Sequence, residues 1–151
     1  MGLFVDEAPL LGLNAAINEQ LGIETEKGSK VIGSYVVDLE NLNATTAVNQ
    51  SMFIAPYPVE VVGVTAAFAV NSTSGNIMVE KTPGTTAVGS GNNLLTAVIS
   101  TAGANNTVIM PALVTTSSFL QLAKGDRLSA IFQGTETGLI GGLVQVQIMR
   151  I

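Results

Sequence analysis

Regular alternation of apolar and polar side chains between Arg127 and Ile151 is the feature that most restricts how this chain can fold. It predicts one strand over 127–133 and another over 143–151, because a period of two is typical of half-buried antiparallel strands. The apolar positions are Leu128, Ala130 and Phe132 in the first strand and Val144, Val146 and Ile148 in the second. The turn Lys124-Gly125-Asp126 precedes the first strand. This part of the chain is therefore predicted to form antiparallel sheet.

Short strand patterns separated by turn residues fill the chain from residue 30 onward. They cover 31–39, 52–55, 59–70, 77–81 and 107–113. In the longest, the predicted faces are Val62, Val64, Ala66, Phe68 and Val70 against Val59, Val61, Thr65, Ala67 and Ala69. Strands at spacings of roughly 8–12 residues are typical of a β-sandwich or jelly roll. We therefore predict an all-β body over 30–151, an antiparallel β-sandwich or jelly roll, with at most one further helical turn near Leu94–Val98.

Residues 1–29 differ from this body and are predicted to form a short N-terminal arm, helical or extended. Pro9 suits a helix start and Gly22 suits its end. Apolar residues spaced three and four apart lie on one face between them, and these are Leu10, Leu13, Ile17 and Leu21. A helix of this length is marginal alone in water. Two interpretations stay open: the arm docks on a neighbouring subunit or another protein, or it plugs one end of its own β-domain.

Composition excludes several classes of function. The chain has no cysteine and no histidine, so it lacks disulfides, thiolate metal ligands and the commonest general base. The six basic residues are scattered and the net charge is −5, which argues against nucleic acid as a partner. No apolar run reaches the ~20 residues that cross a bilayer, so we expect no membrane partner.

Charge is sparse, at 11% of residues, and is absent from Thr82 to Ala123. A surface of this kind is neutral and repels neighbours weakly, which favours a protein that self-assembles or docks. The alternative is a small β-protein that simply uses few charges.

Acidic and glycine-rich motifs give no convincing site. Asp38 and Glu40 alternate onto one strand face, where paired carboxylates could serve a glycosidase or calcium, but solvated acids at a strand edge are the simpler interpretation. The other acids of the body are scattered singly at Glu60, Glu80, Asp126 and Glu136. Residues 84–91, GTTAVGSG, lack the ending of a phosphate loop and are predicted to be a flexible loop. We therefore expect no catalytic residue, no metal and no cofactor, and the chain is predicted not to be an enzyme.

An ordered set of short motifs runs from about residue 50 to the end. It comprises Phe53-Ile54-Ala55-Pro56 before the strand at Val59, the turn Thr82-Pro83-Gly84-Thr85-Thr86 with Leu94-Leu95-Thr96, the run Leu122-Ala123-Lys124-Gly125-Asp126-Arg127-Leu128, and the closing Gly-Gly-Leu-Val-Gln-Val-Gln-Ile-Met-Arg-Ile. In order and spacing this set resembles the small capsid decoration, or cement, proteins of tailed bacteriophages. The first 30 residues match no motif of that family.

The resemblance implies a virion structural protein. It implies a jelly-roll body that assembles as a homotrimer, or around local threefold axes, on the outer capsid surface after synthesis in the host cytoplasm. There it would clamp adjacent copies of the major capsid protein. Members of this family carry no catalytic residues, so none is transferred to this chain.

No motif of that family identifies docking residues in this chain, so the candidates are chosen by their physical properties. The candidates for partner binding are Phe4, Val5, Leu10, Leu13, Ile17 and Leu21. A different function also stays open: a receptor- or carbohydrate-binding jelly-roll domain on a phage tail or fibre. That function would need a concave site lined by aromatic or Asn/Asp side chains.

Overall fold

The computed structural model describes residues 33–151. Over this range the protein is built almost wholly from antiparallel strands joined by turns and loops. The strands are β1 (Ser34–Leu42), β2 (Gln50–Ile54), β3 (Val59–Val70), β4 (Asn76–Thr82), β5 (Asn92–Asn93), β6 (Ile99–Ser100), β7 (Gln121–Leu122), β8 (Arg127–Gln133) and β9 (Ile140–Arg150), and a single helical turn, α1 (Ser117–Leu120), precedes β7.

The strands form two sheets with the core between them. One sheet has the order β1-β9-β3-β7 and the other β2-β8-β4-β5, with β6 also pairing with β4. Buried side chains from both sheets make one apolar cluster, including Val61 and Val146 from the first and Val79 and Leu128 from the second. The predicted all-β antiparallel sandwich is confirmed. The long strands are divided between the sheets: β1, β3 and β9 lie in the first and β2, β4 and β8 in the second.

Strand β9 lies in the middle of its sheet, as its alternating sequence requires. It pairs with β1 on one side and β3 on the other. Val144, Val146 and Ile148 are fully buried, whereas the Gln145 and Gln147 side chains lie on the opposite face. The predicted strand over 143–151 is confirmed, and it begins three residues earlier, at Ile140.

The predicted faces of β3 are wrong at one end. A register shift between Val61 and Gly63 reverses the side-chain direction within the strand. Val59 and Val61 are therefore buried together with Val64, Ala66 and Phe68, and Val62 is 40% exposed. A bulge adds a residue to one strand, so a strict period of two cannot hold across it.

Two further local predictions are wrong. Residues 107–113 do not form a strand, and they contact their neighbours through isolated bridges at Ile109 and Leu113. Residues 94–98 are not helical, because the Leu94 N–H donates to Val79 O at 2.9 Å and so joins the sheet at β4. The one helical turn of the described chain begins at Ser117 instead.

The predictions for the N-terminal arm fall outside residues 33–151. They concern Phe4, Val5, Leu10, Leu13, Ile17 and Leu21. No helix within the described range is both long and apolar enough to cross a membrane.

Candidate interaction surface

Several charged groups of the described body make contacts in its interior. Ten charged residues lie between 33 and 151: Asp38, Glu40, Glu60, Glu80, Lys81, Lys124, Asp126, Arg127, Glu136 and Arg150. Three of the carboxylates, on Glu80, Asp126 and Glu136, are buried. Sequence reasoning treated these acids as single scattered charges, and the structure gives each of them internal contacts.

Glu80 holds the glycine-rich loop against β4. Its Oε1 accepts hydrogen bonds from the Gly89 N–H at 2.7 Å and the Thr82 hydroxyl at 2.7 Å, and its Oε2 accepts from the Gly91 N–H at 3.0 Å. The Thr82 Oγ1 also lies within hydrogen-bond distance of the Ser129 hydroxyl, at 2.9 Å. Loop 84–91, predicted to be flexible, is therefore tethered by a buried carboxylate.

Lys81 joins β4 to the segment that precedes β8. Its ammonium lies 3.6 Å from Asp126 Oδ2 and donates to the carbonyl oxygens of Ser118 at 3.1 Å and Gln121 at 2.6 Å. Asp126 in turn accepts from the Ala123 N–H at 2.9 Å, which fixes the predicted turn. Asp126 is only 9% exposed, so these contacts lie in the interior of the body.

Aromatic and cationic side chains meet where β1 approaches β2. Tyr35 contacts Phe53 edge to face, with ring centroids 6.3 Å apart, and the Arg150 guanidinium lies 4.7 Å from the centroid of the Tyr57 ring. The Tyr35 hydroxyl is buried and lacks a hydrogen-bond partner within the described part of the chain. Burial raises the pKa of Tyr35 to about 12; Tyr57 adds to the rise and Arg150 opposes it.

Asp38 and Glu40 are exposed on β1, as the simpler interpretation of this pair predicted. Across residues 33–151 no group of three or more acidic side chains comes together in a way that could hold a metal ion.

A segment without charge covers the open edge of β3. We call residues 94–114 the neutral strap. Its two ends are joined by hydrogen bonds from Thr96 N to Ala112 O and from Val114 N to Leu94 O, both 2.9 Å. Its middle is joined to β3 by a reciprocal pair of 2.8 Å bonds between Ile109 and Ala66.

The neutral strap presents large apolar side chains outward. Val98 is 40% exposed, Val108 59% and Met110 76%, the last being the most exposed large apolar residue of the described body. Ile109, between Val108 and Met110, packs instead against the core. The strap thus combines a hydrogen-bonded backbone and an uncharged sequence with three exposed large apolar side chains.

These exposed positions were not among the predicted docking residues. The signal that could have found them is the absence of charge from Thr82 to Ala123, although that absence alone does not say which side chains are exposed. Val108 and Met110 lie within a segment that was predicted to be a strand. Alternation in a strand shows which residues share a face, but it does not show which face is exposed to solvent.

Comparisons with known proteins give a distant structural likeness. No protein-family model matches the chain, and no curated protein sequence matches it. Among solved structures, the chain is similar to a chain of the capsid asymmetric unit of cyanophage Pam1, with 12% identity and a TM-score of 0.46. The match covers 78% of this chain and 82% of that one.

Proposed function

We propose that this protein is a virion structural protein that decorates and cements a bacteriophage capsid, docking through the neutral strap. The observation that carries the proposal is the exposure of Val98, Val108 and Met110 on a segment that has no charged residue. The cores of protein interfaces are depleted in charge and enriched in methionine. An apolar group of this kind on a fixed backbone is a candidate docking surface.

The contacts that charged side chains make inside the body support the same proposal. Lys81 and Asp126 form an ion pair inside the body, so their opposite charges largely cancel in the outer field. A neutral outer surface lets many copies lie side by side without repulsion. Many weak contacts, each repeated by symmetry, then sum to a firm attachment.

The proposed partners are the major capsid protein and further copies of this chain, as a homotrimer on the outer capsid surface. This arrangement extends the motif resemblance between residue 50 and the C-terminus. We propose no catalytic activity, and neither nucleic acid nor membrane as a partner.

The alternative of a carbohydrate-binding tail or fibre domain has no observation in its favour. Sugar rings stack on exposed aromatic faces. In the described range Phe68 is buried, and Tyr35, Phe53, Tyr57, Phe119 and Phe132 are partly buried and pack against the core. We therefore do not propose that function, and glycan binding by the full-length protein would revive it.

Reconstitution on capsids tests the proposal. Purified full-length protein would be mixed with expanded capsids that lack it, sedimented, and imaged by electron cryomicroscopy. We expect cosedimentation and added density on the outer surface at threefold or quasi-threefold positions, together with a solution mass three times that of the chain. Protein that stays in the supernatant, or density confined to the tail, would overturn the proposal.

Substitutions in the arm distinguish its two interpretations. Leu13→Asp and Ile17→Asp would be introduced into the full-length protein, and both capsid binding and the melting temperature would be measured. An arm that docks on a neighbour predicts weaker binding at an unchanged melting temperature. An arm that plugs its own domain predicts a lower melting temperature of the unbound protein.

A further inference from the structure

Oxygen atoms crowd together at one end of the sandwich, where the β3–β4 loop meets the β8–β9 loop. Glu136 lies there, 6% exposed. Its Oε2 accepts a 2.6 Å hydrogen bond from the Thr101 hydroxyl, and its Oε1 is buried without a hydrogen-bond partner. Asn71, next to Ser72 in the same loop region, has both side-chain polar atoms unpartnered. Three of the five unpartnered buried atoms of the described chain thus belong to these loops.

Oxygens in this cluster outnumber the hydroxyl protons of Ser72 and Thr101, although the carbonyls of Thr135 and Thr137 also accept, from the Ser74 hydroxyl at 2.9 Å and the Thr73 N–H at 3.0 Å. The Ser72 hydroxyl has one proton but approaches three carbonyl oxygens: that of Ser74, that of Thr137 at 3.1 Å and that of Thr135 at 3.4 Å. The Thr101 hydroxyl likewise lies 3.3 Å from Ser74 O as well as 2.6 Å from the Glu136 carboxylate. Several of these contacts therefore bring oxygen against oxygen without a shared hydrogen.

No basic side chain of the described body pairs with the Glu136 carboxylate, because the one ion pair found in residues 33–151 joins Lys81 to Asp126. An unpaired buried carboxylate is strongly unfavourable. Gly75 allows this carboxylate to lie close to the backbone, since a Cβ at that position would overlap it. Gly75 also has a φ of +115°, a conformation that favours glycine.

We propose that this cluster is a calcium site. Its ligands would be the Glu136 carboxylate, the carbonyl oxygens of Ser74, Thr135 and Thr137, and the hydroxyls of Ser72 and Thr101. Ca²⁺ takes six to eight oxygen ligands at about 2.3–2.6 Å, so neighbouring ligands lie about 2.7–3.5 Å apart. Three of the oxygen–oxygen distances in the cluster, 3.1, 3.3 and 3.4 Å, fall within this spacing.

The bound ion would supply the missing positive charge and join two loops from different strand pairs. A single carboxylate predicts weak binding, in the range of about 10⁻⁴–10⁻³ M seen for sites on extracellular modules. Sequence reasoning considered calcium only at Asp38 and Glu40, because the partners of Glu136 are mostly backbone carbonyls that no residue pattern reveals.

Thermal unfolding and calorimetry of the full-length protein test the site. After treatment with a chelator, the protein would be melted with CaCl₂ up to ~10 mM, about ten times the upper end of the expected dissociation constants. MgCl₂ and NaCl at matched ionic strength serve as ion controls. We expect Ca²⁺ alone to raise the melting temperature progressively, with one ion bound per chain in the calorimeter.

Variants make the test specific. Glu136→Gln is expected to abolish the Ca²⁺ response and, by removing the buried charge, to melt higher than the parent in chelator. Glu40→Gln, which changes an exposed carboxylate, is the matched control and should keep the full response. A parent melting temperature unchanged by Ca²⁺, an equal response to Mg²⁺, or an equal response in Glu136→Gln would overturn the proposal. If Glu136→Gln does not fold, the calorimetric stoichiometry of the parent decides alone.

Discussion

The Gly91 N–H donates a 3.0 Å hydrogen bond to Oε2 of Glu80, so a buried carboxylate on β4 fixes the end of the glycine-rich loop. The contact depends on both residues. A Cβ at Gly91 would overlap the backbone oxygen of Lys81, and only glycine lets the loop lie this close to the strand. The loop leads into β5 and the neutral strap, so Glu80 helps to set where the strap begins.

Replacing Glu80 tests this tether. Glu80→Gln keeps the size of the side chain but replaces one carboxylate oxygen with an amide NH₂. Because that NH₂ cannot accept a hydrogen bond from a backbone N–H, we expect a loss of about 2 kcal/mol in the free energy of unfolding. Glu40→Gln makes the same chemical change at an exposed position and should change stability by less than about 0.5 kcal/mol. Urea denaturation of both variants measures the difference. Equal effects at the two positions would contradict a specific tether.

The bulge in β3 predicts opposite behaviour for two adjacent valines. Val61 is buried at 1% exposure and Val62 is 40% exposed. Val61→Asp places a charge in the core and should cost more than about 3 kcal/mol or prevent folding. Val62→Asp should cost less than about 1 kcal/mol. Melting temperatures of the two variants check the assignment, and a greater loss at position 62 would show that the strand has no bulge there.

Regular alternation explains how much of the fold the sequence could predict. Strands β3, β8 and β9 carry long runs with a period of two, and their positions were predicted to within a few residues. The bulge between Val61 and Gly63 was not predicted, although an isolated glycine inside a strand pattern is one signal of a bulge. The strand prediction for residues 107–113 was wrong because these residues belong to the neutral strap and pair with other strands only at isolated positions.

The buried acids were missed for a different reason. Whether Glu80 or Glu136 is solvated depends on backbone donors and carbonyls brought in from distant loops. Those partners are invisible in a pattern of residue types. For Glu80 one signal was present. Thr82 lies on the same face of β4 as Glu80, and the loop that follows contains glycines that could approach the strand closely.

Tyr35 predicts how stability depends on alkaline pH. Its pKa is raised to about 12 in the folded protein, against an ordinary value of 10.0. Between these two values the unfolded chain loses the proton and the folded chain keeps it, so stability falls as pH rises from 10 towards 12. Tyr35→Phe should remove this part of the loss.

Two measurements check the alkaline prediction. The chain has only two tyrosines, so tyrosinate absorbance of the folded protein should show a component near pH 12 that is missing in Tyr35→Phe. Denaturation of both proteins across the same range should give curves that diverge above pH 10. Parallel curves would mean that the Tyr35 hydroxyl is solvated in the folded state.

The central claim is that the exposed apolar side of the neutral strap attaches this protein to a capsid. The most direct measurement is the affinity of a Val108→Asp, Met110→Asp double variant for expanded capsids, against Val48→Asp as control. Val48 is 58% exposed and Val108 59%, so the control introduces one of the two charges at an equally exposed valine elsewhere on the body. We predict that the double variant melts like the parent and binds about 10–100-fold more weakly, whereas Val48→Asp binds like the parent. A folded double variant that decorates capsids as fully as the parent would contradict the account.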